Sequence, residues 1–266
     1  MLALPPLVAE TIFNIGPLPI TNTYINSTLV LILFLIVGFV LRKRSREIPD
    51  KIQNFAESIL EFAMGYVDQV THDRKKSLKF LPIVGSLFFF ILISNWLGIF
   101  PGIGSIGRWL SVHGEAELVP IFRPANTDLN TTLAMAVLGV AISHVFGIIA
   151  IGFWKYANKF VKLGDIWQSF RKGGMSIMVA FIEFGVGFIE IISEVAKIVS
   201  LSLRLFGNVF AGEVLLTVMA SLLAFVVPLP FIGLEILVGF IQALVFAMLV
   251  LVYLSVATTE VKPAHH

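Results

Sequence analysis

An all-α, polytopic membrane protein with about five crossing helices is the fold class this sequence predicts, and three observations carry that reading. Of the 266 residues, 57% are hydrophobic and only 14% charged, against about 45–50% and about 25% in a soluble domain. Four apolar stretches, near 24–41, 80–100, 129–153 and 231–258, match the roughly 20 residues a spanning helix needs. Basic residues also alternate between the connections. Nine Lys/Arg fall within 42–79, two within 101–128 and five within 154–173. An excess of Lys and Arg marks cytoplasmic loops. The count therefore predicts the N-terminus outside, five crossings and the C-terminus inside.

Taken in order, the opening MLALPPLVAE has no basic n-region and two prolines; a cleaved signal is not expected. The first span is closed by Arg42, Lys43, Arg44 and Arg46. Over 48–72, Ile48, Ile52, Phe55, Ile59, Phe62, Tyr66 and Val70 recur in steps of three and four. That spacing is one face of an amphipathic helix lying on the cytoplasmic interface. The second span ends in NWLGIFPG (95–102) and the third at Trp154. Residues 188–206 contain neither glycine nor proline, so nothing divides the apolar segment that follows. One helix over 174–225 is predicted, about 75 Å long at 1.5 Å per residue. The hydrocarbon core is about 30 Å thick, so this helix must tilt steeply. Pro228 and Pro230 are read as its stop. All of 1–266 forms a single membrane domain.

Composition excludes several functions. A formal net charge of +2 gives no electrostatic footprint for nucleic acid, and the absence of cysteine removes disulfide and thiol chemistry. His72, His113, His144, His265 and His266 show no ligand spacing. No metal or cofactor is expected.

Charge inside the membrane is the informative signal, because an Arg, Lys or Asp at mid-bilayer costs about 2.5–3.5 kcal/mol on insertion scales. On a wheel of 100° per residue, Glu190, Ser193, Lys197, Ser200 and Asn208 all fall within about 40° of Arg204. Together they form one polar stripe about 27 Å long. Glu213 is about 180° away and belongs to the other face. On the last helix Glu235 and Gln242, seven apart, share a face, and Gln242 could hydrogen-bond a guanidinium without neutralising it. Ser143 and His144 lie near the middle of the third helix. Bland readings stand beside these. Glu190 or Glu194 with Lys197 also reads as an ion pair reaching the interface, and His144 as a packing residue. Gly207, Gly212 and Gly239 read as close helix contacts.

The run LSLRLFGNVFAGE (201–213) closely resembles the signature of subunit a of F-type ATP synthases. NWLGIFPG (95–102), RPANTDLNTTLAMA (123–136) and FIQALVFAMLVLVYLSVA (240–257) are similar to further segments of that family. The resemblance implies a stator subunit, not itself catalytic, beside a rotating ring of c subunits. It also implies peripheral-stalk b subunits and the rest of the complex as partners. Two offset half-channels would carry ions, read as protons, to the ring carboxyls. By this match Arg204 is the family's essential arginine, and Asn208, Glu213, Gln242 and Glu235 are polar positions around it. Glu190 matches an acidic position of the cytoplasmic half-channel, with Lys197 on the same stripe and His144 and Glu194 as further candidates. Glu235 is expected as the companion of Glu213. A bacterial plasma membrane is the expected location. Two other classes make different predictions. A stand-alone transporter or channel using Arg204 as an anion site predicts internal inverted repeats, which the sequence lacks. A structural scaffold predicts that Arg204 is dispensable for ion flux.

Overall fold

The computed structural model describes residues 5–6, 8–100, 106–112, 115–160, 174–222 and 228–259. Five helices are long and apolar enough to cross a membrane. They are α1 (Asn22–Arg44), α3 (Arg74–Ile99), α4 (Leu129–Ile151), α6 (Gly174–Leu222) and α7 (Pro228–Ala257). Two further helices, α2 (Lys51–Thr71) and α5 (Phe153–Phe160), link them. The basic residues Lys162, Arg171 and Lys172 and the expected helix end at 223–225 lie outside the described residues.

Side-chain oxygens start the helices where the orphan N–H groups of a first turn need acceptors. Thr21 caps α1, Asp50 caps α2, Asp73 caps α3 and Asp128 caps α4. The Asp73 cap starts α3 at Arg74, earlier than hydropathy alone places it, because the first turn is cationic. Gly152, at φ 94°, ends α4 in a conformation that a Cβ would disfavour, and α5 follows at once. The prolines expected to stop the long helix instead open α7, with Pro228 in its first turn. A first turn tolerates proline because its N–H would have no intrahelical acceptor.

The long helix is continuous over 49 residues, about 73 Å. The core lies where α3 packs on α7 and α4 packs on α6 and α7. Phe80, Val84, Leu87 and Ile91 of α3, Leu201, Leu205 and Val209 of α6, and Phe246, Val250 and Leu254 of α7 share this core. By contrast α1 buries only Asn22, Thr23, Asn26 and Val30, all in its first half. On α2, Ile52, Phe55, Phe62 and Tyr66 stay exposed, while Met64 and Val67 pack inward. That outward apolar row is what an interfacial helix presents to lipid.

Two antiparallel hairpins, which hydropathy does not signal, lie outside the spans. The strands β1 (Thr11–Ile15) and β2 (Leu18–Thr21) form one; β3 (Gly107–Val112) and β4 (Glu115–Pro120) form the other. Arg108 Nη1 donates to the Ile12 carbonyl at 3.1 Å and ties the two hairpins together.

Candidate functional site

The burial of α6 follows the helical wheel at most positions, though Glu190 and Lys197, placed on the Arg204 stripe, are half-buried. Leu201, Leu205, Val209 and Gly212 are buried, while Ser193, Ser200, Arg204, Gly207 and Asn208 are exposed on the chain's outer surface. The Arg204 guanidinium makes one side-chain hydrogen bond, to Ser200 Oγ at 3.4 Å. Among the described residues it has no ion pair. Gln242, half-buried on α7, does not donate or accept at Arg204 as the sequence allowed. A Cβ at Gly207 would meet nothing within 4 Å, so this glycine is not a contact within the chain. Gly212 and Gly239 are: Gly212 faces the Glu235 carboxyl, and a Cβ at Gly239 would come within 3.2 Å of the Asn95 Cβ.

Glu213 turns away from Arg204, as its position on the wheel requires. Its principal partner is an arginine counted in the sequence only as a loop charge. Arg123, 2% exposed, donates from Nε to both carboxylate oxygens at 3.0 and 3.1 Å and from Nη2 at 2.9 Å. The Nη2 also donates to the Pro6 carbonyl at 2.8 Å. Glu235, expected as the companion of Glu213, lies close enough for the two carboxyls to interact. Glu235 is a buried neighbour packed on Gly212, and the ion pair of Glu213 is with Arg123. One sequence signal could have exposed Arg123: it opens RPANTDLNTT, a polar run leading into an apolar span, right after the apolar Ile121 and Phe122.

A polar ladder surrounds this pair. Asn26 Nδ2 donates to the Arg123 carbonyl at 2.8 Å, Asn126 Nδ2 to Asn95 Oδ1 at 2.7 Å, and Asn95 Nδ2 to the Gly239 carbonyl at 3.3 Å. Buried amides left unpaired are costly. These bonds hold α1, α3, α7 and the 123–128 turn in register around Glu213.

A second polar cluster lies on the opposite side of Arg204. Glu194 Oε1 accepts from Lys197 Nζ at 2.7 Å, and Glu194 Oε2 is 3.5 Å from His144 Nε2. His144 Nδ1 is 2.7 Å from the Tyr156 hydroxyl, and Lys197 Nζ lies 5.0 Å from the centroid of the Tyr253 ring. The ion pair allowed for Lys197 is thus made with Glu194, while Glu190 is half-buried near Tyr156. Both ring nitrogens of His144 face polar partners. Burial, with Glu194 and Glu190 nearby, pushes the Tyr156 hydroxyl up to about 12.

Along α6, Glu194 lies about 15 Å before Arg204 and Glu213 about 13 Å after it. Two inward polar clusters thus flank one outward arginine, displaced in opposite directions along α6.

Comparison with known proteins agrees with this geometry. The family described as ATP synthase A chain matches residues 24–255. The ATP synthase subunit a of Moorella thermoacetica is 31% identical, covering 92% of this chain and 94% of that relative. That of Geobacter sulfurreducens is 32% identical over 87% of this chain and 85% of its own length. An ATP synthase subunit a 2 of a Bradyrhizobium strain is 28% identical over 96% and 97%. With the match running from the first span to the end of the last, the chain belongs to the ATP synthase A chain family.

Proposed function

We propose that this chain is the membrane stator subunit of an F-type ATP synthase and carries protons to and from a rotating ring of c subunits. The observation that carries the reading is Arg204. Glu194, Lys197 and Glu213 have charged partners inside the chain, whereas the Arg204 guanidinium is exposed and, among the described residues, its one side-chain hydrogen bond is to Ser200. A charge at mid-bilayer without a counter-charge is costly, so its partner belongs to another subunit. A ring carboxyl facing Arg204 supplies that partner. The fixed cation favours the ionised carboxylate, so a ring carboxyl arriving there gives up its proton. Arginine suits the task because it keeps its charge where lysine would lose a proton. The same charge repels a cation crossing directly between the two polar clusters.

Glu213 and Glu235 then serve the half-channel open to the outside, Glu190, Glu194, Lys197 and His144 the one open to the cytoplasm, and Asn208 and Gln242 are polar positions around Arg204. The basic connections at 42–79 put that second end inside, with the N-terminus outside and the C-terminus in the cytoplasm. Peripheral-stalk b subunits and the catalytic head complete the assembly in a bacterial plasma membrane. Each proton moved through 100 mV supplies about 2.3 kcal/mol, so several must pass for each ATP.

The test is Arg204→Ala in the whole complex, in inverted membrane vesicles. Gradient-driven ATP synthesis should fall to background while the complex still assembles. An assembled Arg204→Ala complex that makes ATP from an ion gradient would overturn the reading.

A further inference from the structure

The stripe facing outward from α6 accounts for Ser193, Ser200, Arg204 and Asn208, but it leaves unexplained a polar chain that turns inward beside it. Lys197 lies two helical turns before Arg204, about 20° round the wheel. It is paired to Glu194, which reaches His144 on α4, and His144 reaches Tyr156 on α5. Neither Glu194 nor His144 is on the outward stripe. Both sit among helices, with side chains 15% and 28% exposed.

We propose that His144 is a proton-holding station on the cytoplasmic side of Arg204, loaded through Glu194 and backed by Tyr156. This rests on the stator reading and extends it to residues on a different helix face. An imidazolium has two N–H donors and no acceptor, so a site for it needs an acceptor at each ring nitrogen. Here Nε2 faces Glu194 Oε2 at 3.5 Å and Nδ1 faces the Tyr156 oxygen at 2.7 Å. Tyrosine fits because its hydroxyl stays un-ionised and both donates and accepts. Its oxygen accepts from Nδ1–H both in the neutral tautomer, whose Nε2 lone pair faces Glu194, and in the imidazolium.

The step balances. A proton on the Glu194 carboxyl passes to the ring lone pair, leaving carboxylate and imidazolium. Loss of either ring proton to water at the loop end restores neutral imidazole. No charge is created beyond the transported proton. The ring faces Glu194 of α6 and Tyr156 of α5; behind them Lys197 of α6 pairs with Glu194 and lies over Tyr253 of α7, and Glu190 of α6 acts on Tyr156. The Phe160 ring closes one side, with its centroid 5.9 Å from that of His144.

The experiment compares His144→Gln, Glu194→Gln and Tyr156→Phe in the intact complex, in inverted vesicles. Assembly is followed by the amount of complex in the membrane and function by ATP-driven acidification. His144→Gln should slow pumping about tenfold, less than the hundredfold or more that a sole proton-transfer group supplies, because water remains along the route. Its rate should lose most of the wild type's dependence on pH. Tyr156→Phe keeps the ring packing and should weaken the same dependence without abolishing it. An assembled His144→Gln complex with wild-type rate and wild-type pH profile overturns the proposal. So does loss of the complex in both His144→Gln and Tyr156→Phe, which would make the cluster a packing device. Either result leaves the Arg204→Ala test of the stator role unaffected.

Discussion

Arg123 and Glu213 show how a single contact changes what a substitution should do. From the wheel alone, Glu213 is a carboxyl lining a path, and Glu213→Gln should slow transport while assembly survives. With Arg123 2% exposed and bonded three times to that carboxylate, the same change strands a buried cation. Breaking a buried pair from one side costs about 3–5 kcal/mol. Glu213→Gln should therefore lower the amount of assembled complex in the membrane, and Arg123→Gln should do the same. The double variant Arg123→Gln/Glu213→Gln removes both charges and should recover most of the assembly but not the pumping. Immunoblots of membranes beside acidification assays separate the two effects. Recovery no better than that of the single variants would show that the pair does not act as a unit.

Among the elements, α5 is the least anticipated. Its eight residues are too few to span and carry two lysines, so hydropathy reads them as loop. Packing holds them in place. A Cβ at Gly187 of α6 would strike the Phe160 carbonyl, and one at Gly147 of α4 would strike the Tyr156 ring. Backbone cannot swing aside as a side-chain tip can. Gly187→Ala should thus push α5 away from α6 at a cost of about 1–3 kcal/mol and raise the protease sensitivity of the 153–160 segment in detergent-solubilised complex. Unchanged cleavage there would mean that α5 is not seated on Gly187. The opposite case is α6, whose continuity followed from an uninterrupted apolar run and whose two faces followed from its period.

The whole chain is incomplete in a specific sense. It buries its core between α3, α4, α6 and α7, yet exposes Arg204 and Asn208 along one helix. A transporter with its own substrate site would bury its charges around that site. Reconstituted alone in liposomes, this chain should support no sustained ion flux, and flux should appear only when a c ring is added. Robust flux from the lone chain would favour a self-contained channel.

Much of this was legible in the sequence because the governing signals are local. Spans follow from hydropathy over a bilayer's thickness. The separation of Arg204 from Glu213 needs only 100° per residue. The motif LSLRLFGNVFAGE marks the family for the same reason: its residues are neighbours in the chain. Contacts across the fold were not legible. Arg123 meets Glu213 across 90 positions, and His144 meets Glu194 across helices whose relative rotation no wheel of either one specifies. The seat of Glu235 against Gly212 belongs to the same class. Periodicity says which way a side chain points from its own axis; what it then touches depends on where the other axes lie, and packing sets that.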